Sequence, residues 1–126
     1  MIEIKKGFLG PEHVNLLNGV FQTSQEVGER YLLSLDMDRF LAPCFEAHGL
    51  PAKKERYAGW EARSISGHSL GHYLSALAVT YQATGNETLK QTLDYAVSEL
   101  ASIQQHTGSG YIGGLSEEAF HIAFRA

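Results

Sequence analysis

Two histidines stand one helical turn apart in the run Gly67-His68-Ser69-Leu70-Gly71-His72-Tyr73-Leu74-Ser75-Ala76. An imidazole has two ring nitrogens, able to donate or accept, and a flat face that packs on carbon, so the pair suits contacts to hydroxyl groups. At about 100° per residue, His68 and His72 lie roughly 40° apart on a helix. Ser75 and Val79 continue their face, and Leu70, Tyr73, Leu74, Leu77 and Tyr81 fall on the other. Small neighbours leave room beside the rings for something other than protein. The His-x-x-x-His spacing also serves zinc in metalloproteases, but that chemistry needs a glutamate directly after the first histidine, and Ser69 stands there. No metal ligand or catalytic residue is therefore assigned in this chain. Two hydrogen-bonded core histidines are the plain alternative.

Gly59-Trp60-Glu61 lies just upstream. The Trp60 indole offers a broad apolar face to a sugar ring, or equally an anchor that pins a loop to the helices. Glu61 has the chemistry of one of a glycosidase's paired carboxylates, but standing alone beside Arg63 it reads as half of a loop ion pair. Cys44, among Phe40, Leu41 and Phe45, reads as a small core residue. Gly108-Ser109-Gly110-Tyr111-Ile112-Gly113 matches the Gly-x-Gly-x-x-Gly dinucleotide pattern in form only, because a helix precedes it where a strand is required. It reads instead as a glycine-rich loop over a pocket rim.

The elements that must position these residues are helical throughout. Val14, Leu17, Phe21, Ser24, Tyr31 and Leu35 recur at three- and four-residue steps and predict a first long helix beginning after Pro11. Asp38 suits the N-cap of a short helical turn through Phe40, Leu41 and Phe45, broken near Pro43 and closed by Gly49-Leu50-Pro51. Residues 49–66 read as a loop. Ser66 suits the N-cap of the histidine-bearing helix, Gly85 its left-handed end, and Asn86 the cap of the next. Residues 67–84 contain no Asp, Glu, Lys or Arg, which predicts a helix buried on both sides. Its successor carries Leu89, Leu93, Ala96, Leu100 and Ile103 on one stripe, ends by Gly108, and is buried on one side only. Such alternation belongs to a double-layered ring or solenoid of helical hairpins. His121 and Phe124 follow at helical spacing from Glu117.

Hydrophobic residues make up 44% and charged residues 19% of the chain, which suits a packed segment and excludes disorder. A net charge of −4, with adjacent lysines only at Lys5-Lys6 and Lys53-Lys54, excludes a nucleic-acid surface. Met1 to Lys6 lacks the apolar core of a signal peptide, and no stretch of about 18 apolar residues is present to cross a membrane. One cysteine, Cys44, cannot form an internal disulfide, and the simpler expectation is a cytoplasmic protein.

Leu32-Leu33-Ser34-Leu35-Asp36, Gly59-Trp60-Glu61, the His-Ser-Leu-Gly-His-Tyr-Leu-Ser-Ala segment and Gly110-Tyr111-Ile112-Gly113-Gly114 together resemble the N-terminal part of the β-L-arabinofuranosidase group of glycoside hydrolases, family 127 and its relatives. The resemblance runs from Tyr31 to Phe120. It implies an all-α (α/α)6 toroid that acts on L-arabinofuranosides or related sugars. A toroid of twelve helices needs several hundred residues, so residues 1–126 are expected to be the N-terminal part of one catalytic domain. The family's cysteine nucleophile, glutamate acid/base and cysteine- and glutamate-bound zinc have no matching positions here; zinc is expected only in the full-length enzyme. By resemblance His72 is a sugar-contacting residue of the active-site pocket, Tyr111 lines its mouth, and His68 and Trp60 are further substrate-binding candidates. The expected partner is a carbohydrate, and the apolar surface of a part-ring predicts self-association. A rival reading from another class is a tetratricopeptide-type hairpin, suggested by Ala76-Leu77-Ala78, Tyr81, Gly85-Asn86 and Tyr95-Ala96-Val97. Such modules need at least about three repeats, and residues 20–53 do not repeat the pattern.

Overall fold

A computed structural model describes residues 10–63 and 65–123. Lys5-Lys6, the rest of the amino-terminal stretch Met1 to Lys6, and Phe124 lie outside the described residues. The described chain is all-helical and no strand occurs in it. A single 3-10 turn, Pro11–His13, precedes α1 (Val20–Ser34), α2 (Met37–Ala47), α3 (Trp60–Arg63), α4 (His68–Thr84), α5 (Glu87–Thr107) and α6 (Glu117–Ala123).

The α4–α5 hairpin is the centre of the structure, and its turn chemistry is the one the sequence predicts. Gly85 adopts a left-handed φ of 69° and donates its N–H to Tyr81 O at 2.7 Å. The Asn86 side chain accepts from Thr88 N at 3.0 Å and starts α5. Gly108, at φ 68°, ends it. Leu89, Ala96, Leu100 and Ile103 of α5 meet Leu70, Tyr73 and Leu77 of α4, and α2 adds Met37, Phe40, Leu41 and Cys44 to the same core. Phe40 sits between Tyr57 and Tyr73, with ring centroids 4.7 and 4.8 Å apart. The Tyr73 hydroxyl donates to Leu32 O at 2.7 Å and ties α1 to α4.

Several expectations change. The predicted first helix is split: Pro11–His13 form the 3-10 turn, and α1 begins only at Val20, after Gly19. No α1 residue is buried, and Leu17 and Phe21 are 86% and 76% exposed. Apolar periodicity marked a face that the described residues cover only toward its end, where Leu35 packs against the core. The cap of α2 is Asp36, not Asp38: the Asp36 side chain accepts from Asp38 N at 3.1 Å, and Tyr57 Oη accepts from Asp36 N at 3.0 Å. Helix α2 also runs through Pro43 instead of breaking there. An interior proline costs about 3 kcal/mol or more, and burial of Leu41, Ala42, Pro43 and Cys44 in the core offsets it.

The described residues of the segment 49–66 form a loop except for α3. Lys53 donates to Glu99 of α5 at 2.7 Å and Lys54 to Asp36 at 2.6 Å. This one pair of adjacent lysines among the described residues is therefore spent on clasping the loop to α2 and α5.

Candidate functional site

His68 opens α4 and His72 follows one turn later; their Nε2 atoms are 3.2 Å apart and the rings meet edge to face, with centroids 4.6 Å apart. A contact between two imidazole nitrogens needs one to donate and the other to accept, so at least one ring is neutral in this arrangement. His68, His72, Ser75 and Val79 are all exposed. Helix α4 is thus not buried on both sides as expected: α2 and α5 cover the Leu70–Tyr73–Leu77 face, and α1 approaches the other only at its Val79 end, leaving His68, His72 and Ser75 uncovered among the described residues. Among the described residues the two rings lie outside the core.

What begins α4 is not Ser66. The N-cap position is Gly67, which has no side chain and a left-handed φ of 83°. The Ser66 hydroxyl donates to Glu61 O at 2.8 Å. The cap comes from Glu61, only 6% exposed, whose Oε2 accepts from Gly67 N at 2.7 Å and whose Oε1 accepts from Ser69 N at 2.6 Å. Burial pushes the Glu61 carboxyl up, but the Ser69 hydroxyl and the backbone N–H groups of Ser69 and Gly67, with His68 nearby, outweigh it and hold the group below its usual 4.5. The ion pair with Arg63 expected of Glu61 is replaced by this cap. Arg56 completes the support: it pairs with Glu46 and donates to Ser66 Oγ at 2.8 Å and to Glu61 O at 3.2 Å.

Trp60 is adjacent in sequence but 76% exposed, so it does not anchor the loop; its face is open to solvent. Tyr111 lies on the glycine-rich loop after α5. That loop is laid against the start of α4: a Cβ on Gly114 would stand 2.6 Å from Ser66 O and 2.9 Å from Gly67 Cα. Tyr111 is half-buried, its hydroxyl donates to Leu115 O at 3.0 Å, and its ring lies 5.4 Å from that of His48. Burial, with Cys44 and Glu117 nearby, pushes its phenol up. The structure therefore gathers His68, His72, Glu61 and the Tyr111 loop at the N-terminal end of α4. The Tyr111 hydroxyl is engaged within its own loop.

Beneath Tyr111, His48 Nδ1 lies 2.7 Å from Cys44 O. A carbonyl only accepts, so Nδ1 carries the proton, and the buried Nε2 has no partner among the described residues. Cys44 is buried as expected, and desolvation, reinforced by the Glu61 charge, pushes its thiol up to about 11. Sequence reasoning missed Arg56 and the capping role of Glu61. The capping-box rule looks three residues along, and these partners lie six and eight residues on.

A cleft of about 380 Å³ lies away from the histidine pair, between α1 and α4, lined by Gly28, Tyr31, Leu32, Val79 and Ala83 among others. Val79 belongs to the His68–His72 face, so the cleft continues that face toward the far end of α4. Among the described residues no three His, Cys, Asp or Glu side chains gather where they could hold a metal ion. The histidine pair supplies two nitrogens, the Glu61 carboxylate is occupied by backbone, and the Cys44 thiol is protonated. The described residues do not fit the zinc that the resemblance implies for the full-length enzyme. No helix among them is long and apolar enough to cross a membrane.

Helical hairpins and no strand among the described residues make the all-α fold class of which (α/α)6 toroids are built. The family described as beta-L-arabinofuranosidase, GH127 catalytic domain, matches residues 13–125, and the chain belongs to that family. No curated protein matches the chain.

Proposed function

We propose that this chain is part of the catalytic toroid of a glycoside hydrolase acting on L-arabinofuranosides or related sugars, and that it contributes one wall of the sugar pocket. The observation that carries the reading is the exposed His68–His72 pair, on a helix face without charged residues, in a chain of the GH127 family. His72 contacts the sugar, with His68 braced against it; Trp60 supplies a stacking face and the Tyr111 loop a rim. The nucleophile and the acid/base come from elsewhere in the enzyme, so this segment binds and orients. A cytoplasmic setting, suggested by the single cysteine, belongs to the same proposal.

The test is His72→Ala in the full-length enzyme, assayed on an aryl L-arabinofuranoside. Loss of a buried hydrogen-bond partner in the complex should lower kcat/KM by an amount equivalent to about 1–3 kcal/mol, with the melting temperature nearly unchanged because the ring is exposed in the free chain. His68→Ala should cost less. A large fall in melting temperature with activity retained by the folded fraction would overturn the reading.

A further inference from the structure

We infer that Glu61 is a positioning residue for the histidine pair: its buried carboxylate fastens the first turn of α4 and so fixes where the His68 and His72 rings stand. Only its consequence for catalysis rests on the sugar-contact reading of His72; the fixing of the rings stands on geometry.

Gly67 and Ser69 flank His68, and both of their N–H groups are bound by the one carboxylate, at 2.7 and 2.6 Å. The first N–H groups of a helix have no partner within it, and a glycine N-cap has no side chain to offer. Nothing nearer replaces Glu61, because the Ser66 hydroxyl is turned onto the Glu61 carbonyl. A negative charge is also favoured where the helix dipole is positive. The backbone that carries the carboxylate is itself held, since Arg56 donates to the Glu61 carbonyl and to Ser66 Oγ while pairing with Glu46. His72 is reached through the same turn, its Nε2 lying 3.2 Å from that of His68. Release of the cap frays the turn that carries His68, and with it the support of His72.

Glutamine in place of Glu61 keeps the shape but has one acceptor oxygen, and its NH2 group would confront the other N–H. In the full-length enzyme, Glu61→Gln should lower kcat/KM on an aryl L-arabinofuranoside about tenfold, the scale of one charge-assisted hydrogen bond. In a His72→Ala background the same substitution should cost nothing further, because Glu61 acts through His72. Unchanged kcat/KM in Glu61→Gln, alongside a loss in His72→Ala, overturns the inference. So does an equal loss in both backgrounds, which would make Glu61 independent of the pair. Should His72→Ala leave activity intact, the sugar-contact reading fails by itself. The positioning role is then decided by the histidine ring 15N signals, which shift in Glu61→Gln if it holds and stay in place if it does not. Should Glu61→Gln not fold, the wild-type Gly67 and Ser69 amide signals decide: movement together on acid titration supports the cap, and absence of movement overturns it.

Discussion

A carboxylate that caps a helix from a separate segment makes that helix sensitive to acid. Glu61 titrates below its usual 4.5 in the folded chain, so it binds a proton more readily when unfolded. Its contribution to stability is fully present above the unfolded value and is lost as pH falls through the lower folded one. The difference in melting temperature between wild type and Glu61→Gln should therefore be largest near about pH 6 and narrow toward about pH 3. A gap of the same size at both ends would show that the cap does not depend on charge. At this scale the meeting of the His68 and His72 rings was legible from their spacing. Their exposure was not, because a helix without charged residues reads as buried whether or not the described residues cover it. Glu61 was misread because its obvious neighbour, Arg63, is closer in sequence than the N–H groups it binds.

Among the elements, the α4–α5 hairpin was legible almost to the residue, since Gly85, Asn86 and Gly108 each act locally through φ or a cap. Helix α1 was not, because periodicity alone places a stripe without starting a helix, and Gly19 sets the start. The glycine-rich loop owes its place to packing: Gly114 lies on Ser66-Gly67 with backbone against backbone. Gly114→Ala would put a methyl group 2.6 Å from Ser66 O, where neither side can swing away. It should cost about 1–3 kcal/mol in chemical denaturation, the usual range for overpacking. Gly71→Ala is the matching control: a Cβ there meets nothing within 4 Å, and helix propensity should make it neutral or stabilising by up to about 1 kcal/mol. Equal effects of the two would show that the loop is not seated on the helix start.

For the molecule as a whole, the apolar side chains that no described residue covers are concentrated along α1 and its approach, where Leu17, Val20, Phe21 and Tyr31 are exposed. The α1–α4 cleft runs beside them. In a complete toroid such faces would lie against further helices; on the 126-residue chain alone they favour association with another copy. Light scattering at micromolar concentration should report dimers or larger species. A monodisperse monomer with sharp cooperative unfolding would point to an autonomous domain. Ring and solenoid remained equal on helical patterning, since both stack hairpins, and the family match is what selects the ring.

Cys44 sits where α2 comes close to Gly67, with its sulfur 3.9 Å from where a Cβ on that glycine would lie. It is the only cysteine in the chain, buried and kept as a thiol well above neutral pH. A thiol so placed is invisible to alkylating reagents until the glycine-rich loop and the head of α4 part from α2. The protein therefore carries a built-in gauge of its own breathing: the rate at which Cys44 accepts a label follows the fraction of time that the corner holding the histidines stands open.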